Sequence, residues 1–319
     1  MKAISLSLFL FFVFNGSESC LVVNIENLCT PETNTTYLFA YSNDIEAAYV
    51  QQMTESLDWA ISKMIKFANV SALKNSILQK LPDPSKGFKS ADTGSDIITV
   101  IQKFLNNPQA PICGSKILIS LKRNPNIADI NPIIALLRKY RVSIYVTASN
   151  NLLGERNSTD MYKIATQTNG VALFLDDAMF RQGVWNSNKF ANRFLIHADN
   201  FNVSSQGTIN LKQINIPYFN VFYCIFSVFD QPQPFTTLPF FQLNWTNTKT
   251  GATGSHLADT SFLELLNGNY DMIKDKFSEG AYNLTVSYEY NDDIMRQLYI
   301  QIYTSPGKGQ PVSWIPYDD

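Results

Sequence analysis

The chain has 319 residues, a formal net charge of -2 and two histidines. A near-neutral balance with no basic stripe argues against nucleic acid as a partner. A hydrophobic fraction of 45% is enough to bury a core in each of two domains, the number that this length suggests.

Met1-Lys2, the apolar run Ala3 to Phe14 and the small polar residues Asn15 to Ser19 have the form of a secretory signal peptide (1–19), with cleavage expected near Ser19. The run is too short to span a bilayer comfortably, so secretion to the extracellular space is expected rather than anchoring. No later segment reads as a membrane span. The longest, Tyr218 to Phe229, is broken by Asn220 and reads as a core strand. The polar C-terminus carries no lipid-anchor signal.

Residues 20–35 form an N-terminal extension with Cys20 and Cys29. Together with Cys113 and Cys224 they make an even set, which in a secreted chain favours two disulfides. Three pairings are open. Cys20–Cys29 with Cys113–Cys224 is preferred, because it ties the extension locally and then staples the two halves. Cys29–Cys113 would leave an awkward Cys20–Cys224 link. Sequons stand at Asn15, Asn34, Asn69, Asn157, Asn202, Asn244 and Asn283. Asn15 leaves with the leader; Asn34, Asn69 and Asn157 sit between periodic segments and are the strongest glycosylation candidates.

From Tyr37 to about Asp177 strand and helix alternate. Tyr37-Leu-Phe-Ala-Tyr-Ser-Asn-Asp44 reads as a buried strand ending in polar residues. Asp44 is expected to cap a helix running to about Phe67, with Val50, Met53, Leu57, Ile61 and Met64 at helical spacing. Leu73, Ile77 and Leu81 predict a short helix stopped by Pro82 and Pro84. Ser95 to Asn106 is the next helix and Lys116 to Leu121 a buried strand. Asn131-Pro132 is a cap with a first-turn proline. Val142 to Thr147 is a strand, Ser158 to Thr168 a helix ended by Asn169-Gly170, and Val171 to Leu175 the last strand. Apolar strands separated by helices imply a doubly wound, mostly parallel α/β sheet over residues 36–180.

After about Arg181 the pattern changes. Phe219 to Val228, Phe240 to Trp245, Ala281 to Tyr290 and Gln297 to Tyr303 run apolar or alternate with period two. Turn residues such as Asn291-Asp292-Asp293 separate them. Only Ser261 to Phe277 reads as helical. Residues 181–319 are expected to form a mostly antiparallel β-sandwich.

Ligands of open parallel sheets bind beyond the carboxyl ends of the strands. That rim holds Ser42 and Asp44, then Thr93, Gly94 and Asp96, then Lys122 and Arg123. The strand ending at a D-x-S-x-S position, the Thr-Gly loop and the following apolar strand resemble a von Willebrand factor A domain. In that family the motif's oxygens, the Thr and a further Asp hold Mg²⁺. Here Ala40 stands at the first Asp, Ser42 is kept, Asp44 stands at the second Ser, Thr93 matches the Thr, and Lys122 takes the place of the further Asp. The strings Ala40-Tyr-Ser-Asn-Asp44, Thr93-Gly-Ser-Asp96, Cys113-Gly-Ser-Lys116 and Lys122-Arg-Asn-Pro125 further resemble secreted nematode proteins with a degenerate A-like domain. That resemblance covers roughly 36–177 and implies a role in a host-defence or epithelial secretome. An A domain also carries two more strands between its first helix and the Thr loop. Only Met64 to Val70 offers one here, so the sheet is expected to lack an edge.

Mg²⁺ wants an octahedral oxygen shell with carboxylate help. Two carboxylate positions are lost and one becomes an ammonium. At an effective dielectric of 20 a divalent ion about 4 Å from Lys122 is repelled by ~8 kcal/mol. No metal and no cofactor are therefore expected. Lys122 or Arg123 paired with Asp44 or Asp96 would supply a structural cation instead; the plainer reading has Lys122 facing water. His197 and His256 show no ligand-like spacing, and Asp176-Asp177 and Asp292-Asp293 read as solvated turns. Trp185, Trp245 and Trp314 read as core aromatics before binding platforms. The function expected is secreted, non-enzymatic binding or adhesion toward an extracellular protein or glycan. The alternatives are a metal-dependent adhesion domain with unconventional ligands and a cryptic hydrolase.

Overall fold

A computed structural model describes residues 6–10, 29, 35–64, 70–108, 110–125, 129–154, 159–190, 193–216, 220–229, 240–257 and 270–304. The chain divides into two compact units. The first takes residues up to Ala172 and returns for Phe180–Ala191; the second takes Leu173–Met179 and Asn192–Pro311.

β2 (Tyr37–Ser42), β3 (Lys116–Arg123), β4 (Ser143–Leu153) and β5 (Val171–Leu175) run parallel, as their continuous apolar runs require, and belong to the first unit except for Leu173–Leu175 of β5. β1 (Leu6–Leu10) lies antiparallel on the free edge of β2, pairing Leu6 with Ser42 and Leu10 with Leu38. The order β1-β2-β3-β4-β5 runs one way across the sheet. The reversal that defines a doubly wound sheet is therefore missing among the described residues, and β1 occupies the flank where it would come. The mostly parallel α/β sheet expected from the sequence is present, and among the described residues its strand order runs one way. Met64 and Val70 lie in helices, not in a strand.

Among the described residues six α-helices belong to this unit: α1 (Ala47–Met64), α2 (Val70–Leu78), α3 (Ile97–Leu105), α4 (Asn131–Lys139), α5 (Asp160–Thr166) and α6 (Phe180–Phe190). Helix α1 packs with α2 and α6, and α3 with α4. Val50, Met53 and Leu57 of α1 are fully buried, and the Ser120 hydroxyl of β3 donates to Met53 Sδ (3.3 Å). Two capping expectations are corrected. Asp44 is not the cap of α1: the Glu46 carbonyl accepts the first helical N–H groups, and Asp44 is engaged elsewhere. Asn131 is the first residue of α4, and Asp129 Oδ1 accepts its N–H (2.9 Å). Helix α6 extends the first unit ten residues past the boundary expected near Arg181.

Helix α5 ends as its Asn-Gly pair predicts. Asn169 takes the left-handed region (φ 57°), and Gly170 N–H donates back to the Ala165 carbonyl (2.8 Å). Gly170 there passes so close to β4 that an added Cβ would sit 1.7 Å from the Ile144 carbonyl oxygen. Gly170→Ala must displace backbone, and we expect a loss of about 3 kcal/mol, the upper range of overpacking, read as the urea midpoint of the purified chain. An unchanged midpoint would refute this contact.

The preferred disulfide pairing is wrong. Cys29 bonds to Cys113, with Cα atoms 5.2 Å apart. The reason is strand order: β2 and β3 are neighbours, so the segments entering them run side by side. Lys116 N–H donates to the Thr36 carbonyl (3.1 Å) and Thr36 N–H to Ser115 Oγ (3.0 Å) at the same end. Cys20 lies outside the described residues. Cys224 lies on β9, in register with Ile302.

Among the described residues from 193 onward the second unit forms two antiparallel sheets. One contains β11 (Thr253–Leu257), β10 (Phe240–Asn247), β13 (Gly280–Glu289) and β7 (Gln206–Asn210) in that order, with β8 (Ile214–Ile216) also on β13. The other is ordered β12 (Tyr270–Phe277), β9 (Asn220–Phe229), β14 (Arg296–Thr304), β6 (Phe194–Val203). One core joins them: Phe241, Leu243, Leu284 and Val286 from the first sheet meet Leu298, Ile300 and Ile302 from the second. Alternate residues of β8, β10, β13 and β14 enter it, as a sandwich requires. Trp245 packs against this core, its ring over Gly254, where a Cβ would come within 2.5 Å of the indole. The helix expected over Ser261 to Phe277 is corrected at its described end: Tyr270–Phe277 is a strand, held along its whole length by β9.

Candidate functional site

The carboxyl ends of β2 and β3 converge on one buried guanidinium. Arg123, the last residue of β3, is 2% exposed. Its Nε donates to Asp44 Oδ2 (3.0 Å) and its Nη2 to Asp44 Oδ1 (2.9 Å), a two-point fork. Its Nη1 turns to the loop before α3 and donates to the carbonyls of Ser90 (2.7 Å) and Thr93 (2.6 Å), with Ala91 at 3.3 Å. The Phe88 ring lies 5.6 Å from the guanidinium carbon. Ser42 Oγ completes the Asp44 shell by donating to Oδ2 (2.9 Å).

Burial pushes the Asp44 carboxyl up. The Arg123 and Ser42 hydrogen bonds and the charges of Arg123 and Lys122 more than reverse this, leaving it below the ordinary carboxylate range. Asp44 is thus ionised wherever the protein is folded near neutrality. A depressed carboxylate adds stability that is present above its unfolded pKa and is lost as pH falls through the folded value. That loss is confined to strongly acid solution, below about pH 4.

The rest of the rim is braced by backbone. Ser95 N–H donates to the Asn124 carbonyl (2.8 Å), Asn124 N–H to Leu153 (2.9 Å) and Gly154 N–H to Ala91 (2.7 Å). Asn43 Oδ1 accepts from Asp83 N–H (3.3 Å).

The expected site residues fall as follows. Ala40 is fully buried in mid-strand. Ser42 and Asp44 sit together at the rim. Thr93 is exposed and contributes its carbonyl, not its hydroxyl. Lys122 donates to Ser149 Oγ (3.0 Å), so the ion pair with Asp44 belongs to Arg123. Successive strand residues point to opposite faces, and only one of the two cations can meet Asp44. Asp96 is the N-cap of α3 and makes no side-chain cap bond. The carbonyls of Ser90, Ala91 and Thr93 are acceptors that the sequence does not mark, since a backbone acceptor leaves no residue-type signal.

A divalent cation does not fit here. The guanidinium already lies between the carboxylate and the loop carbonyls, where such an ion would need those oxygens for itself. Among the described residues no cluster of three His, Cys, Asp or Glu side chains could hold a metal.

Elsewhere, His197 lies on β6 and His256 on β11, in different sheets. Burial pushes the His197 imidazole down, with Lys212 adding to this and Asp199 opposing it. Asp292 is not merely solvated. Arg296 forks onto it (2.5 and 2.8 Å) and stands 4.6 Å over the Tyr290 ring, and the Arg296 hydrogen bonds hold the Asp292 carboxyl at about 2. Trp314, Asn34, Asn69 and Asn157 lie outside the described residues, whereas Asn202 and Asn283 are exposed and Asn244 half-buried on strands.

Residues 199–305 match a domain of unknown function, DUF7154, which falls within the second unit. No curated protein matches the chain. A carbohydrate-binding module (CBM6cm-2) of Cellvibrio mixtus lichenase 5A, solved with cellotriose, overlaps 34% of this chain and 87% of its own at 9% identity and TM-score 0.21. The module TmCBM61, solved with β-1,4-galactotriose, overlaps 34% and 70% at 13% identity and TM-score 0.22. Overlaps this slight carry no argument about what the chain binds.

Proposed function

We propose that the chain is a secreted, non-enzymatic binding protein whose first unit is a degenerate A-domain-like scaffold with a built-in cation. The observation that carries this reading is the Arg123 guanidinium, buried, forked onto Asp44 and bonded to the loop before α3. A rim organised in this way needs no ion to hold its shape. The partner is an extracellular glycan or protein, recruited without a metal bridge. Removal of a leader at about Ser19 takes β1 with it and opens the edge of β2 to another strand.

Calorimetric titration of the full secreted chain with Mg²⁺ and then Mn²⁺ tests the core of the proposal. We expect no heat of binding at millimolar ion, and a melting temperature unchanged by a chelator. Saturable binding, or a chelator-sensitive melting temperature, would instead favour the metal-dependent adhesion reading.

A further inference from the structure

Two sequons interlock on the outer face of the second unit's five-stranded sheet. Asn244-Trp245-Thr246 lies on β10 and Asn283-Leu284-Thr285 on β13. Strand side chains alternate, so an Asn-x-Thr in a strand puts Asn and Thr on one face and the middle residue on the other. Here the middle residues, Trp245 and Leu284, both pack into the sandwich core. The two strands are antiparallel in a register that sets Asn244 opposite Thr285 and Thr246 opposite Asn283. Each acceptor asparagine therefore faces the other sequon's threonine across the ladder, and all four side chains point away from the core.

Among the described residues these four side chains form no hydrogen bond with one another. Thr208 and Ser287, on the same sheet, do share a cross-strand hydrogen bond (3.2 Å). Among the described residues Asn244, Thr246 and Thr285 make no side-chain hydrogen bond. Asn283 accepts one through Oδ1, from Gln213 Nε2 (3.0 Å). That leaves the Asn283 Nδ2 nitrogen, the atom a sugar would take, uncommitted. Asn283 is exposed and Asn244 half-buried, so neither side chain is shut into the core.

We propose that Asn244 and Asn283 both carry N-linked glycans, which makes this outer sheet face a sugar-covered surface rather than a ligand-binding one. The proposal rests on the secretion reading above. In each transfer the asparagine Nδ2 bonds to C1 of an oligosaccharide donated by a lipid diphosphate. The C1–O bond to the diphosphate breaks, and the amide proton leaves with the lipid diphosphate. Diagonal positions on neighbouring strands lie roughly 7–8 Å apart, so the two stems rise side by side from the sheet.

The test is to secrete the full chain from a eukaryotic host, release glycans with peptide-N-glycosidase in ¹⁸O-water and map the peptides. We expect labelled aspartate at both 244 and 283. Thr246→Ala and Thr285→Ala each leave the asparagine in place, and each should remove one mobility step while the protein is still secreted. Unlabelled asparagine at either position overturns the proposal. If the leader has been removed in that sample, secretion stands and only the paired glycans fail; if it is retained, both readings fail together.

Discussion

Replacing Arg123 by methionine is expected to lower the unfolding free energy by about 3–5 kcal/mol, the cost of removing one member of a buried charge pair. The side chain is 2% exposed and its partner Asp44 15%. Methionine would strand the Asp44 carboxylate and leave the Ser90 and Thr93 carbonyls without their donor. Arg123→Lys is expected to recover only part of the loss, since an ammonium cannot fork onto Asp44 and reach two carbonyls at once. The double variant Arg123→Met/Asp44→Leu should be more stable than Arg123→Met alone, because it removes the orphaned charge. Lys122→Met, which forfeits the Ser149 contact, is expected to cost only about 1 kcal/mol. Urea unfolding of the four variants provides the measurement. If Arg123→Met and Lys122→Met fall within error of each other, the guanidinium does not organise the rim.

Breaking the Cys29–Cys113 link is the second large effect. The bridged residues are separated by 84 positions, and a closed loop of that size stabilises by about 4–5 kcal/mol in the chain-entropy account. Cys113→Ser should lower the urea midpoint by the corresponding amount, and reduction of the native chain should reproduce the shift. Peptide mapping of the unreduced protein supplies an independent check. A Cys113–Cys224 peptide in place of Cys29–Cys113 would restore the pairing first preferred from the sequence.

The parts of the fold legible in the sequence were those in which local pattern and tertiary environment agree. Ile117 to Ile119, Ile144 to Val146 and Val171 to Leu175 are apolar and buried on both faces because the sheet is covered on both. Asn169-Gly170 announced its left-handed turn. What stayed hidden depends on partners distant in the chain. Tyr270–Phe277 carries Asp271, Lys274, Asp275 and Lys276, too polar for a strand until β9 pairs with it. Helix α6 is mostly polar, and its described buried side combines Phe180 and Val184 with the polar Asn186 and Ser187. The disulfide needed the order of the strands. At the rim the sequence placed two adjacent cations beside Asp44; a register irregularity between Leu121 and Arg123 at the end of β3 accompanies the choice of the second.

The guanidinium has a consequence for how this rim can be controlled. A bound ion comes and goes with its concentration, and acid or citrate can withdraw it. Arginine is made with the chain and keeps its charge at every physiological pH. The loop before α3 and the turn after β2 are consequently fastened for the lifetime of the molecule. Fluctuating calcium or magnesium in the surroundings has no handle on them, and adjusting this surface would take a competing ligand or a covalent change.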